Sequence, residues 1–392
     1  MKAPDHSEDT KSERITTGAL TMSTWIQSLK RAFSAWGVWR FVLSLWGYLL
    51  WRMGWIRPDA GIEWLYDVRP ATEGFRAGLV DIWLRWDTVH YLRIIQEGYG
   101  PDERSAFFPL YPLLGKVCGI ITGDDGLLGL LLVSNLAAIG SIFLLDRIAY
   151  TKMQLNGHST VLYDLVFYPL AFFLFVAYPQ SLVLFFILGA YFSQLNRHLL
   201  MTFICGVAAG LTHLTALPLT PLLFLHALKF KERRWPWFLI SLAPLLGIAG
   251  FLTWRFYAGF PSFQVLLGSI WGKSVGPGVD VIGDMTPWIW LIRGWPNLVV
   301  LFLGLGTLYW CYKNRLFAML GFQVVLLLIP ILTAPSFEPL AGMARYALVG
   351  FPMYFAFSSW RPQGWKHLLI LALASGVNLY FCGIFIMWGF IG

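Results

Sequence analysis

The residues able to do chemistry are concentrated between Arg85 and Leu114, RWDTVHYLRIIQEGYGPDERSAFFPLYPLL, a charged and aromatic stretch in an otherwise apolar chain. Asp87, His90 and Tyr91 are spaced three and four apart, which puts a carboxylate, an imidazole and a phenol on one helical face. Asp87 and His90 are the catalytic candidates. Asp81 and Arg85, four apart, are expected to form an ordinary helix-surface ion pair, whereas Asp87 has no opposite charge at that spacing. Flanked by Trp83, Trp86 and Tyr91, the Asp87 carboxylate is expected to be partly desolvated, which makes it a better proton acceptor. General-base activation of a hydroxyl is the chemistry this suggests. Gly98, Gly100 and Pro101 end the helix, Glu103 and Arg104 follow, and Pro109 and Pro112 bar a long regular helix through Phe108.

The elements that must hold these groups are membrane helices. The chain of 392 residues is 57% hydrophobic and 13% charged, with a mean hydropathy of +0.62, against roughly 25% charged residues in an ordinary soluble domain. At about 20 apolar residues per crossing, there is room for roughly ten to twelve helices and one substantial loop. The expected fold is an all-α polytopic membrane protein, with a cytoplasmic tail at 1–35 and a single transmembrane domain at 36–392. The net charge of +8 sits largely in short clusters between apolar runs, so it reads as orientation and not as nucleic-acid binding. Cys118, Cys205, Cys311 and Cys382 lack metal-ligand spacing and read as packing residues.

Apolar runs occupy roughly 36–56, 127–148, 160–177, 180–196, 199–213, 216–229, 235–256, 288–311, 315–333, 344–359 and 367–389. The run 106–122 is short, broken by two prolines and carries Lys116. If it lies along the interface or re-enters, the clusters at Arg147 and Lys152, Arg197, KFKERR (229–234), Lys313 and Arg315, and Arg361 and Lys366 all face the cytoplasm. That arrangement gives about eleven spans, an inside amino terminus and a first outer loop over 57–106 that contains Asp87. Arg255, Lys273, Arg293 and Arg345 then stand at the outer ends of helices, where cations are sparse and suggest an anionic ligand.

Three further segments reach the same side. AYPQSL carries Tyr178 and Gln180 at an outer hairpin, LTHLTALPLTP carries His213 near the end of a span, and PLAGMARYALVGFP places Arg345 and Tyr346 where a loop enters a helix, a natural seat for an anion. No Walker loop, dinucleotide glycine fingerprint, HExxH site or nucleophile elbow occurs in a supporting context.

Taken in order, RWDTVHYLRIIQEGYG with AFFPLYPLL, AYPQSL, GLTHLTALPLTP and ARYALVGFP resemble the PIG-V family of integral-membrane mannosyltransferases, over about residues 80–355. The chain departs from the family pattern at Gln180, where Glu is usual, and at His213, where Arg is common. The resemblance implies a GT-C glycosyltransferase bundle with its active site in the first large outer loop. The implied donor is a polyprenyl-phosphate sugar, the sugar mannose, and the acceptor a glycolipid, glycan or protein. Carried over by motif, Asp87 is the acid residue of that loop, acting as base in an inverting displacement. Arg345, with Tyr346, His213 and Arg293, is expected at the donor phosphate, and Arg85, Tyr91, Glu103, Arg104, Phe108, Tyr178 and Gln180 around the substrates. No cofactor is implied; a lipid monophosphate leaving group places no obvious demand for a metal. The short loops fit a bacterial cytoplasmic membrane. The competing readings are a transporter or flippase, which predicts ionisable groups near the bilayer midplane, and a noncatalytic assembly subunit.

Overall fold

The computed structural model describes residues 22–56, 61–152, 161–230, 234–262, 264–266, 268, 294–333, 340–360, 364–389 and 391. Arg293 and Lys273 lie outside these residues. Among the described residues the architecture is helical, and four stretches are long and apolar enough to cross a membrane: Gly126–Tyr150, Arg234–Tyr257, Trp295–Lys313 and Trp365–Ile386. Shorter apolar helices include Leu110–Ile121, Gln180–Leu195, Leu199–Thr212 and Phe317–Leu332. The core is apolar, but much of the exterior is apolar too. Phe41, Leu200, Phe302 and Leu373 face outward, while Gln194, Asn297, Gln323 and Asn378 are buried. An apolar exterior around a partly polar interior is what a lipid surround favours.

Helix α1 (Met22–Arg52) begins inside the segment expected as a tail, so the described part of that segment, 22–35, is helical and continuous with the first apolar run. It is followed in the loop by α2 (Ile62–Leu65), α3 (Gly74–Leu79), a 3-10 turn at Asp81–Trp83 and α4 (Asp87–Glu97). The doubtful run forms α5 (Leu110–Ile121), 12 residues or about 18 Å, short of the ~30 Å hydrocarbon core. A tight turn leads into α6 (Gly126–Lys152). The two helices pack backbone to backbone, since a Cβ on Gly129 would collide with the carbonyl oxygen of Gly115. The turn is tied to the 57–106 loop by the ion pair between Arg76 of α3 and Asp125. α1 runs antiparallel to α6, pinned by Trp36 to Asn135 at 3.0 Å and by Arg31 to Asp146 at 2.6 Å.

The run at 160–177 does not form one crossing helix. α7 covers only Val161–Val166, and a buried, irregular segment with a 3-10 turn at Ala171–Leu174 leads to α8 (Gln180–Leu195). Irregular backbone in an apolar bundle needs protein partners for its carbonyls. Arg40 and Asn135 both donate to the Phe175 carbonyl at 3.0 Å, Thr88 to Ala177, Ser134 to Tyr178 and Asn378 to Tyr168. α9 (Leu199–Thr212), α10 (Leu219–Ala227), α11 (Arg234–Ile240) and α12 (Ala243–Tyr257) follow. Beyond them lie α13 (Trp295–Lys313), α14 (Phe317–Leu332), α15 (Met343–Tyr346), α16 (Phe351–Trp360) and α17 (Trp365–Ile386).

Candidate active site

Asp87 opens α4, directly after Trp86, whose φ of 51° and ψ of −124° are strained for a side-chain-bearing residue. A helix start leaves backbone N–H groups without intrahelical acceptors. The Asp87 N–H donates to the Tyr178 hydroxyl at 3.1 Å, and the Thr88 hydroxyl donates to the Ala177 carbonyl at 3.0 Å. The irregular 171–179 segment is thus the socket that receives the start of α4. Its shape depends on Arg40, a cation in the middle of an apolar helix, an anomaly that could have flagged it from sequence.

Arg345 reaches the same point from 258 positions away. Its Nη1 donates to Asp87 Oδ2 at 3.2 Å, with the two side chains 13% and 19% exposed. Asp87, which has no opposite charge at helical spacing, thus takes its cationic partner from α15, beyond the reach of any such spacing. The guanidinium also sits 5.7 Å from the Phe173 ring, 5.8 Å from Tyr178 and 5.7 Å from Tyr346. Its Nε is buried without a hydrogen bond. α15 is held by Asn297, which accepts from the Ala344 N–H, and by the Tyr168 hydroxyl, which donates to the Ala344 carbonyl.

His213 interrupts the chain between α9 and α10 in an extended conformation. Its Nδ1 accepts from the Thr215 N–H at 3.1 Å, which needs a lone pair there and so places the proton of a neutral ring on Nε2. The ring is 5.9 Å from Tyr346 and 6.4 Å from Phe108. Asp87, Tyr178, Arg345, Tyr346 and His213 therefore converge from four separated segments. Phe173 belongs with them and was not singled out in the sequence, although it lies in the aromatic run just before Tyr178. Gln180, the residue directly after the socket and the first of α8, is buried, its Oε1 without a hydrogen bond.

Other expected site residues do different work. Arg85 turns away from Asp87: it donates to the carbonyls of Ile386, Asp81 and Leu84 and lies 4.9 Å from the Trp388 ring, so it ties the loop to the end of α17. The expected Asp81–Arg85 ion pair is likewise replaced, because the Asp81 carboxylate pairs with Arg76 at 3.3 Å and accepts from the Ala71 N–H. Arg104 is a turn clamp, bonded to Asp102, Glu97 and the Gly98 carbonyl. Burial alone would raise the Asp102 carboxyl, but the bonds from Arg104 hold it below its ordinary value. Phe108 packs on Phe251 at 4.6 Å and docks the loop on α12. Tyr91 is buried edge-on against Phe107 and Tyr111. Arg255 donates to the Pro261 carbonyl and so folds the segment after α12 back onto the helix.

His90 is buried, stacked on Phe107 at 4.9 Å and facing Tyr66 at 5.6 Å. Burial pushes its pKa below 6.5, a shift only partly opposed by Asp87 and Glu103. A neutral imidazole enclosed by rings is a support for α4, and no direct bond joins it to Asp87. Glu103 stands at the rim of this cluster, near enough to act electrostatically on His90 and Tyr66. Among the described residues no three His, Cys, Asp or Glu side chains are grouped to hold a metal ion. Comparison with protein-family models, curated proteins and solved structures found no match.

Proposed function

We propose that this chain is a membrane glycosyltransferase of the GT-C type, moving a sugar, mannose on the PIG-V resemblance, from a polyprenyl phosphate to an acceptor hydroxyl. The observation that carries this reading is the Asp87–Arg345 pair, which joins the acidic motif of the loop to the distant basic motif within a ring of Tyr178, Tyr346 and His213. A bundle of about eleven spans in a bacterial cytoplasmic membrane, with the amino terminus inside and this site outside, accommodates the basic clusters under the positive-inside rule.

In this mechanism Arg345 fixes Oδ2 of Asp87 and leaves Oδ1 to accept the proton of the acceptor hydroxyl. The acceptor oxygen bonds to the anomeric carbon as the carbon–oxygen bond to phosphate breaks, and the electron pair leaves on the lipid phosphate with inversion at carbon. Proton transfer removes the negative charge from Asp87 as one appears on the phosphate. Arg345 can follow that charge, and its unbonded Nε–H is a donor already desolvated for the purpose. Tyr178 holds the helix start that carries the base. The test is transfer of labelled mannose from polyprenyl-phosphate mannose by the purified protein to a panel of glycolipid and glycan acceptors. Failure of both donor binding and transfer would defeat the reading.

A further inference from the structure

A partly open space lies where the Asp81–Trp83 turn meets the end of α1 and the chain just beyond α17. It is a cavity of about 80 Å³ walled by Trp51 and Trp388, with Asp81, Arg85 and Ala71 lining it and Thr72 exposed at its rim. Trp388 packs against Trp86 at 5.7 Å, so the cavity shares a wall with the residue that precedes Asp87. Asp81 and Arg85 are 5% and 6% exposed. Asp81 Oδ2 is satisfied by Ala71, but Oδ1 is buried without a hydrogen bond, its cation Arg76 lying at 3.3 Å in poor geometry. Arg85 uses Nε and Nη1 on carbonyls, and among the described residues its Nη2 makes no hydrogen bond.

These groups define a ligand chemistry. An anion would meet Asp81 and a cation would meet Arg85, so a neutral molecule is favoured. An unsatisfied acceptor beside an unused donor suits hydroxyl groups, and two indole walls suit a compact carbon skeleton. The volume exceeds that of two liquid-water shares of ~30 Å³ and falls short of the ~150 Å³ that encloses a benzene. It admits the edge of a pyranose entering past Thr72. Burial raises the Asp81 carboxyl above its ordinary 3.8, a sign that its charge lacks the solvation a hydroxyl would supply.

We propose that this cavity is a carbohydrate subsite that takes the hydroxyl-bearing edge of a neutral sugar, Asp81 accepting and Arg85 donating a hydrogen bond, between the rings of Trp51 and Trp388. Assigning that sugar to a non-reacting unit of the acceptor rests on the transferase reading. The test uses the full chain in detergent and methyl α-mannopyranoside as probe, read by saturation-transfer NMR and tryptophan fluorescence. Wild type and Asp87→Asn bind equally, whereas Ala71→Leu, which fills the cavity and keeps both charged groups, weakens binding by about tenfold or more. Thr72→Trp blocks the rim and serves if Ala71→Leu does not fold. A mannosylated lipid in nanodiscs, titrated beside the soluble glycoside, separates a lipid-borne sugar from a free one. In the transfer assay Ala71→Leu raises acceptor KM and leaves donor KM and kcat unchanged. No binding by wild type, or equal binding by both cavity variants, overturns the subsite. Binding at the cavity with neither donor binding nor sugar transfer would refute the transferase and leave the subsite; transfer with an unchanged acceptor KM in Ala71→Leu would do the reverse.

Discussion

Arg345→Met removes the cation and keeps most of the side-chain volume. At 3.2 Å and an effective dielectric of ~20, the attraction to Asp87 is about 5 kcal/mol before desolvation is counted. Both side chains are largely withdrawn from water, and desolvation offsets roughly half of that, leaving about 2–3 kcal/mol. If the same charge follows the leaving phosphate, this energy is available in the transition state, and kcat for sugar transfer falls roughly 30- to 160-fold. Arg345→Lys, which retains charge without the planar fork, recovers part of the loss. The decisive comparison is a cycle with Asp87→Asn, read in kcat and in thermal stability. The two side chains touch, so the double variant should lose much less than the product of the single effects. Turnover of Arg345→Met within threefold of wild type, or strictly multiplicative losses in the cycle, would refute the charge hand-off.

Three other outcomes follow from the geometry. Tyr178→Phe removes the acceptor of the Asp87 N–H and should lower kcat about five- to tenfold, from a hydrogen bond worth about 1 kcal/mol, with little change in donor binding; unchanged kcat would remove Tyr178 from the positioning of the base. His90, held neutral by burial, stabilises the fold fully above its ordinary 6.5, and that contribution is lost as pH falls through its depressed folded value, because the unfolded chain takes up the proton first. Melting temperature should therefore drop less steeply with acid in His90→Phe than in wild type, and parallel curves would contradict the assignment. Gly129→Leu forces a side chain into the backbone of α5 and should destabilise by about 1–3 kcal/mol or more, seen as a lower melting temperature; an unchanged melting temperature would mean the hairpin can open at little cost.

Legibility in the sequence followed the range of each signal. Asp87 at the head of a short helix was readable because its aromatic and polar neighbours are local, and Tyr178, His213 and Arg345 because each sits at a proline- or glycine-marked break between apolar runs. Their convergence was only partly readable. Spacing arguments pair groups within one helix, so they joined Arg85 to Asp81 and could not see Arg345 arriving from α15. Hydropathy read 160–177 as a span because aromatic residues fill it. The chain instead breaks where Arg40, Asn135, Ser134 and Asn378 supply hydrogen bonds that an isolated helix would have supplied itself. The Glu103 and Arg104 pair looked like substrate contacts because charge in an apolar protein attracts that reading; Arg104 spends its donors on Asp102, Glu97 and a turn carbonyl.

The central claim, that Asp87 is the base of a sugar transfer, is tested most directly by comparing purified wild type with Asp87→Asn in transfer of labelled mannose from polyprenyl-phosphate mannose, with donor binding measured in parallel. The amide keeps the side chain's shape and its place at the start of α4 but cannot accept the proton at neutral pH. The account predicts transfer by wild type, retained donor binding in the variant, and a loss of turnover of at least about 10²-fold. Turnover by Asp87→Asn within a few-fold of wild type would contradict it.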